Sequence, residues 1–370
     1  QINKEIMMLS SVTNAIKSLL YVLVAGIFIL ISSLYIISDV EPVIWQPDPP
    51  RALEGVYAQN NRLDALIPIL PNQGNGPEDM ALGPDGMIYT AYENGDIVLF
   101  DPTAADINLT AKLVNNTQGR PLGLRFNAQG DLIIADAIKG LLKMDSSGRI
   151  SILVTEYQGE RLRFVDHLAV GNDGIIYFSD ASMRFGMHDF VYDFIETSMT
   201  GRVFAFDPRT EQLTLLMDNL FFANGVAIDE QNDYLLVNET GKSRILKYGL
   251  TGESVGTTSV FIDELPGMPD NIYRDPYGAY WVGLINLRDP LVEKLAAYPF
   301  VRRVLGGIPA NWFQPSSEYG MVIALDASGN VLENLQTAHA YTSITTALPH
   351  GGQLFVSSLR QDHIAVMPLD

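Results

Sequence analysis

Two hydrophobic patterns divide the chain. From Ser18 to Ser38 (SLLYVLVAGIFILISSLYIIS) the residues are apolar on every face and no charge falls between Lys17 and Asp39. A helix through this run rises about 1.5 Å per residue and spans roughly 30 Å, the thickness of a bilayer core. Beyond Gly76 the pattern changes to short apolar or alternating runs broken by Gly, Asn and Asp, and it recurs with a period of about 45 residues. Successive copies are GPEDMALGPDGMIYTAYENGDIVLFDP (Gly76 to Pro102), PLGLRFNAQGDLIIADAIKGLLKMDSSG (Pro121 to Gly148), and a third that opens VDHLAVGNDGIIYFSDAS at Val165 and closes GRVFAFDPRT at Thr210. The fourth runs from Ala223 to Gly252, the fifth opens at Pro269 and closes with YGMVIALDASGN, and the sixth runs from Thr342 to Asp370.

Each copy has the same grammar: a strand, a Gly/Asn/Asp turn, a second strand ending in a small or acidic residue, and a third ending near Asp-Pro or Asp-Ser. Segments between copies, such as TLLMDNL, supply a fourth strand. Six such units predict an all-β, six-bladed β-propeller with an N-terminal transmembrane helix. A β-sandwich is the rival, but it does not need six units written so alike. The expected organisation is a short cytoplasmic N-terminus (1–17), an anchor (18–38), an extracytoplasmic linker (39–61) and a propeller (62–370). Strand material around Arg62 to Leu70 is expected to close the ring. Pro42, Pro47, Pro49 and Pro50 make the linker read as a stiff, extended spacer. Two apolar, aromatic insertions, 183–201 and 285–318, interrupt blades three and five between their second and third strands. In a propeller those loops share an end with the start of strand one, so both insertions are expected to cap that face.

Lys4 and Lys17 precede the apolar run, while Asp39, Glu41 and Asp48 follow it. The positive-inside rule then places the N-terminus in the cytoplasm and the propeller outside, in the periplasm if the source is bacterial. A cleaved signal peptide is the competing reading; the run is long for one, and no small-x-small site ends it. The net charge of −19, spread along the chain, argues against nucleic acid as a partner. The absence of cysteine excludes disulfides, zinc-thiolate sites and thiol nucleophiles. The sequence has no phosphate-binding Gly-Lys loop and no GxSxG elbow.

The repeat register singles out one set of residues. First strands line a propeller's axis, and the residues starting them are Glu78, Leu122, Asp166 with His167, Asn224, Asp270 with Asn271, and the Ser343/Thr345 region. Three carboxylates and two carboxamides converging near one axis repel one another unless a cation joins them. Calcium, with roughly six to eight oxygen ligands, suits this mix, whereas zinc prefers nitrogen or sulfur.

RPLG at Arg120, FANG at Phe222 and PGMPDNI at Pro266 resemble the strictosidine-synthase-like proteins, a family that includes the adipocyte plasma membrane-associated proteins. The resemblance runs from about Gly76 to the C-terminus and is more distant to paraoxonases and to the gluconolactonase/senescence-marker family. It implies a propeller holding calcium in its channel, with Glu78, Asp166, Asn224, Asp270 and Asn271 as metal ligands, and in many relatives hydrolysis of lactones or aryl esters. VDHL stands where VNDL is usual, but a carboxylate still binds calcium. The paraoxonase histidine pair does not carry over: its positions fall at Leu122 and near Ala137. The catalytic glutamate of strictosidine synthase has no counterpart in Ile344 to Thr346, which argues against a Pictet–Spengler condensation.

The expected function is a membrane-anchored, calcium-dependent esterase or lactonase taking a small hydrophobic ester or lactone. Asp270 or His167 would activate water. The alternative is a non-catalytic, calcium-stabilised propeller acting as an accessory subunit for a membrane protein partner.

Overall fold

The computed structural model describes residues 2–313 and 318–369, so residues 314–317 of the second expected insertion lie outside the described residues. Six four-stranded antiparallel sheets form the blades of a propeller, five of them built from consecutive strands. The sixth takes three strands from residues 344–368 and its outermost strand, Ile67–Ile69, from the beginning of the propeller. Ile67 pairs with Val366 and Ile69 with Ile364, which ties the two ends of the ring together.

The burial pattern follows from sheets stacked face to face. The second strands Leu132–Asp136 and Ile176–Asp180 are buried at every position, because a neighbouring blade covers each face. Ile133 and Ala135 of blade two and Phe178 and Phe204 of blade three belong to one apolar cluster. The turn between the first two strands has a left-handed residue at the same place in every blade. It is Gly86, Gly130, Gly174, Gly278 and Gly352 in five blades and Asn232 in blade four. Glycine and asparagine tolerate this conformation, which explains the grammar of the repeat.

Helix α1, Ile2–Ile37, contains a stretch from Ser11 to Ile37 long and apolar enough to cross a membrane. Its last turn packs on the blade-five insertion. That insertion holds two short helices, α3 (Pro290–Leu295) and α4 (Pro299–Leu305). The blade-three insertion holds α2, Val191–Glu196, which packs against α4.

The linker, expected as a stiff, extended spacer, is packed along much of its length. The backbone amides of Glu41 and Val43 donate to the Glu196 carboxylate (2.8 Å) and carbonyl (3.1 Å), and that of Trp45 to the Ala296 carbonyl (3.4 Å). Farther on, Tyr57 enters the core of blade five, and Gln336 donates to the Tyr57 carbonyl. Leu63 is fully buried between blades five and six. Residues 39–66 therefore form a strap across the caps and down the side of the ring.

Candidate functional site

The site is built where the first strands leave regular pairing. In blades two to six the ladder between the first two strands shifts register at the residues facing the axis, including Asp166 and His167, Asn224 and Gly225, and Asp270 and Asn271. A bulge breaks the strict alternation of a strand and re-aims consecutive side chains. Neighbouring first strands also touch through glycine. A Cβ on Gly225 would lie 2.5 Å from the Asp270 carbonyl oxygen and 2.7 Å from the Ile272 nitrogen. The backbone behind the site is pinned from the second strand of blade four. Asn238 donates to the Asp270 carbonyl (2.6 Å) and Thr240 to the Pro269 carbonyl (2.7 Å).

Two polar layers result. The layer facing the caps contains Glu78, Asp166, Asn224 and Asp270, all buried and all on the wall of one cavity. Asn271 adjoins them off the cavity wall, donating to the Glu78 carbonyl (3.3 Å) and to Thr346 (3.0 Å). Asp166, Asn224, Asp270 and Asn271 each keep one buried side-chain Oδ1 without a hydrogen-bond partner. Glu78 does not, because Arg120 reaches across from blade two to its carboxylate (2.7 Å) and to the Gly76 carbonyl (2.8 Å). Burial pushes the Glu78 carboxyl up to about 7 against the pull of Arg120. Burial, followed by the neighbouring carboxylates, holds Asp166 and Asp270 well above the usual carboxylate range. Among the described residues no three His, Cys, Asp or Glu side chains gather tightly enough to make a metal cluster by themselves. Carboxamide oxygens are needed to complete a donor set.

The second layer is a closed ion pair. Arg125 donates to Asp79 (2.8 Å), which also accepts from the Leu124 amide (2.8 Å) and from Thr346 (2.9 Å). His167 belongs to this layer, and it does not line the cavity. Its Nδ1 accepts from the Val226 amide (2.9 Å), and burial, reinforced by Arg125, pushes its pKa well down. The imidazole is therefore neutral, with its remaining proton on Nε2, 3.6 Å from Asp79, and the Arg125 guanidinium lies beside the ring. The expectation that His167 activates water fails on this geometry: its free lone pair is already used, and the register break turns it away from Asp166's cavity. Among the described residues, the histidine that does line the cavity is His188, on the blade-three cap.

The cavity encloses about 620 Å³ between the polar floor and the two caps. Its walls are largely apolar and carry a cluster of aromatic rings. Phe222 packs on Phe164 and Phe194 at centroid distances of 5.3 and 4.8 Å, and Trp45 from the strap meets Phe221 edge-on at 5.6 Å. Arg302 of α4 is buried and fastens the roof. It donates to the carbonyls of Ile195 (2.6 Å), Val43 (2.6 Å) and Ala296 (3.0 Å) and to the Thr197 hydroxyl.

The structure brings Glu78, Asp166, Asn224 and Asp270, grouped from the sequence, onto the wall of one cavity. Sequence reasoning did not single out Asp79, Arg120, Arg125, Trp45 or Arg302 for this region. A lone arginine inside the apolar strand PLGLRF was the available signal for Arg125.

Comparison with known proteins agrees with this architecture. The family model for strictosidine synthase matches residues 166–253, and that for the strictosidine synthase-like N-terminal region matches residues 55–100. Strictosidine synthase-like 6 of Arabidopsis thaliana is 35% identical over 300 residues, covering 80% of this chain and 79% of that protein. The adipocyte plasma membrane-associated protein of Salmo salar is 31% identical over 357 residues, covering 90% and 85%. A gluconolactonase from Xanthomonas campestris superposes with a TM-score of 0.60 at 18% identity, covering 90% of this chain and 98% of that one. A calcium-binding regucalcin from Agrobacterium tumefaciens does so with a TM-score of 0.54 at 13% identity, covering 82% and 96%.

Proposed function

This chain belongs to the strictosidine-synthase-like family, and from that premise we propose that it is a membrane-anchored, extracytoplasmic, calcium-dependent hydrolase of lactones or of aryl and acyl esters. The observation that carries the reading is the set of four unpartnered, buried oxygens, on Asp166, Asn224, Asp270 and Asn271, beside a largely apolar cavity. Buried polar atoms without partners are costly, and oxygens from mixed carboxylates and carboxamides are the donors a hard cation takes. These four residues would hold the ion, and Glu78 stands beside them in its pair with Arg120. When bound, calcium supplies Lewis-acid polarisation of a carbonyl and charge stabilisation for an oxyanion. The choice of lactone as a substrate class follows the gluconolactonase among the structural neighbours.

The remaining chemistry falls to this chain's own side chains. Phe164, Phe194 and Phe222 would receive the apolar acyl or aryl group and keep bulk water from the carbonyl. Asp270, whose amide partner is Asn224, would take a proton from the attacking water. The carbonyl carbon then gains the water oxygen, its bond to the alkoxy oxygen breaks, and the proton passes to that leaving oxygen. A lactone would open to a hydroxy acid, and an ester would yield an acid and an alcohol or phenol.

The second reading, a non-catalytic propeller docking to a membrane protein, is favoured by one observation: His167 is closed off in the ion-pair layer. The deciding experiment is turnover of a panel of lactones and aryl and acyl esters by the full chain in nanodiscs, with calcium or with chelator. Asp270→Asn is assayed in parallel. Hydrolysis lost with both chelator and the substitution supports the enzyme. A folded, calcium-binding protein that turns over no member of the panel overturns it in favour of the second reading.

A further inference from the structure

The large apolar side chains left exposed on the propeller are mostly scattered singly over outer strands and turns, as Ile67, Leu113, Ile152, Val260 and Leu332 are. The blade-five cap is different. Between residues 291 and 312 it exposes Leu291, Val292, Tyr298, Phe300, Val301 and Trp312, with Trp312 at 73%. The adjoining chain adds Ile36, Ile37, Val43 and Ile44. Such concentration marks an interaction surface.

What covers this surface follows from where helix α1 meets it. Tyr35 stacks on Phe300 (5.3 Å) and lies under the Arg303 guanidinium (4.9 Å). Gly306 approaches Ser38 and Val40, and Gly307 abuts the Leu34 backbone, so a side chain at either glycine would collide with the helix end. The apolar stretch of α1 ends at Ile37. At a rise of about 1.5 Å per residue, Tyr35 lies only about 3 Å inside that end. Phe300 is thus held at the level where the hydrocarbon of a spanned bilayer gives way to its headgroups. Tyrosine, tryptophan and snorkelling arginine are the side chains suited to that level. Val292, more than half exposed, is also on the wall of the cavity, so the apolar outer surface runs into the cavity's rim.

We propose that the blade-five cap is immersed in the interface of the bilayer that α1 spans, and that the cavity draws a lipophilic ester directly from that bilayer. The second half rests on reading the cavity as an ester site; the first half does not. The chain contains no cysteine, so single cysteines report without background. Full-length Leu291→Cys, Phe300→Cys and Trp312→Cys are each labelled with an environment-sensitive fluorophore in nanodiscs containing nitroxide-labelled lipid. Tyr277→Cys is the control; Tyr277 is 97% exposed on the turn between the first two strands of blade five, at the opposite end from the caps. Blue-shifted emission and at least a twofold stronger quenching at 291, 300 and 312 than at 277 are expected. Equal, water-like signals at all four positions overturn the proposal. An unlabelled check guards against misfolded variants: brominated acyl chains should quench the intrinsic fluorescence of the native chain, and Trp312→Tyr should remove most of that quenching. Quenching that survives Trp312→Tyr undiminished also counts against immersion. For loading, the pair Leu291→Asp with Phe300→Asp should raise KM about tenfold for a long-chain ester held in the bilayer. It should leave kcat/KM for a water-soluble ester unchanged. Equal losses on both substrates overturn bilayer loading, and inactivity of the native chain on both overturns the hydrolase reading while the quenching result stands.

Discussion

The polar floor should make the stability of the metal-free protein fall as pH rises, opposite to what surface carboxylates do. The perturbation is to titrate the full chain from pH 5 to pH 8 in chelator and then with saturating calcium. Glu78 is raised from 4.5 to about 7 by burial, and Asp166 and Asp270 move in the same direction. A carboxyl with a raised pKa binds its proton more tightly in the folded state. Its contribution is fully present below the unfolded pKa and is lost as pH rises through the folded one. At 1.36 kcal/mol per unit, Glu78 alone loses about 3 kcal/mol across this window. That corresponds to a fall of roughly 5–10 °C in Tm for a domain of this size. Surface carboxylates with depressed values, such as Asp145, lose their stabilisation only at lower pH; buried neutral His167 opposes the trend, gaining stability as pH rises through its ordinary range, but this one imidazole is outweighed by Glu78, Asp166 and Asp270 together. In the proposed site a bound calcium would replace the protons, so its stabilising increment should be larger at pH 8 than at pH 5. Asp166→Asn should raise the metal-free Tm at pH 8 and shrink the calcium increment. The assay is thermal unfolding followed by circular dichroism. A metal-free Tm that is flat or rises from pH 5 to pH 7, or a calcium increment equal at both ends, refutes the reasoning.

Other substitutions test the supports of the site. Arg302→Met removes one buried cation from four acceptors, so about 3 kcal/mol should be lost from the caps rather than from the blades. Hydrogen exchange should accelerate in residues 190–200 and 296–305 while the second strands stay protected. Arg125→Met leaves Asp79 buried without its cation and should cost about 3–5 kcal/mol in chemical denaturation. Adding Asp79→Asn should recover much of that loss, and strictly additive losses would show that the two do not act as a pair. Gly225→Ala drives a methyl group into the backbone of Asp270 and Ile272, and should cost about 3 kcal/mol or more with weakened calcium binding. An unchanged denaturation midpoint would mean the first strands are not packed this closely.

The blades were legible because each carries its own turn chemistry: the left-handed residue of Gly86, Gly130 or Asn232 recurs where the repeat grammar places it. The site was legible in part for the same reason. Residues starting equivalent strands converge on an axis, so Glu78, Asp166, Asn224 and Asp270 group together from the sequence alone. What failed was parity within the strand. His167 follows Asp166, and only the register break between Val165 and Leu168 decides which of them meets the cavity. The arginines were hidden for another reason. Arg120 and Arg125 find Glu78 and Asp79 one blade away, a pairing between blades that periodicity does not encode. The proline-rich strap read as a stiff, extended spacer because its partners, Glu196 and Arg302, lie in insertions far along the chain.

That strap decides which portion of the chain can stand for the whole. As an extended tether, residues 39–61 would allow the propeller to hang tens of ångströms from the membrane at about 3.4 Å per residue. Their hydrogen bonds to Glu196, Ala296 and Arg302 remove that freedom and lay Trp45 against Phe221 in the cavity wall. A protein beginning at Arg51 loses the Val43 acceptor of Arg302, the amide donors to Glu196 and the Trp45 ring together. One beginning at Asp39 keeps all three. The blades of both should melt alike, since the ring closes through Ile67–Ile69 in each. The caps should differ by about 2–4 kcal/mol, the sum expected for a few hydrogen bonds and a half-buried indole. Hydrogen exchange across residues 190–200 and 296–305 measures the difference. Equal protection in the two proteins would mean that the caps order themselves and the strap is only a tether. Faster exchange in the shorter protein would mean that hydrolysis measured on it underestimates the intact site.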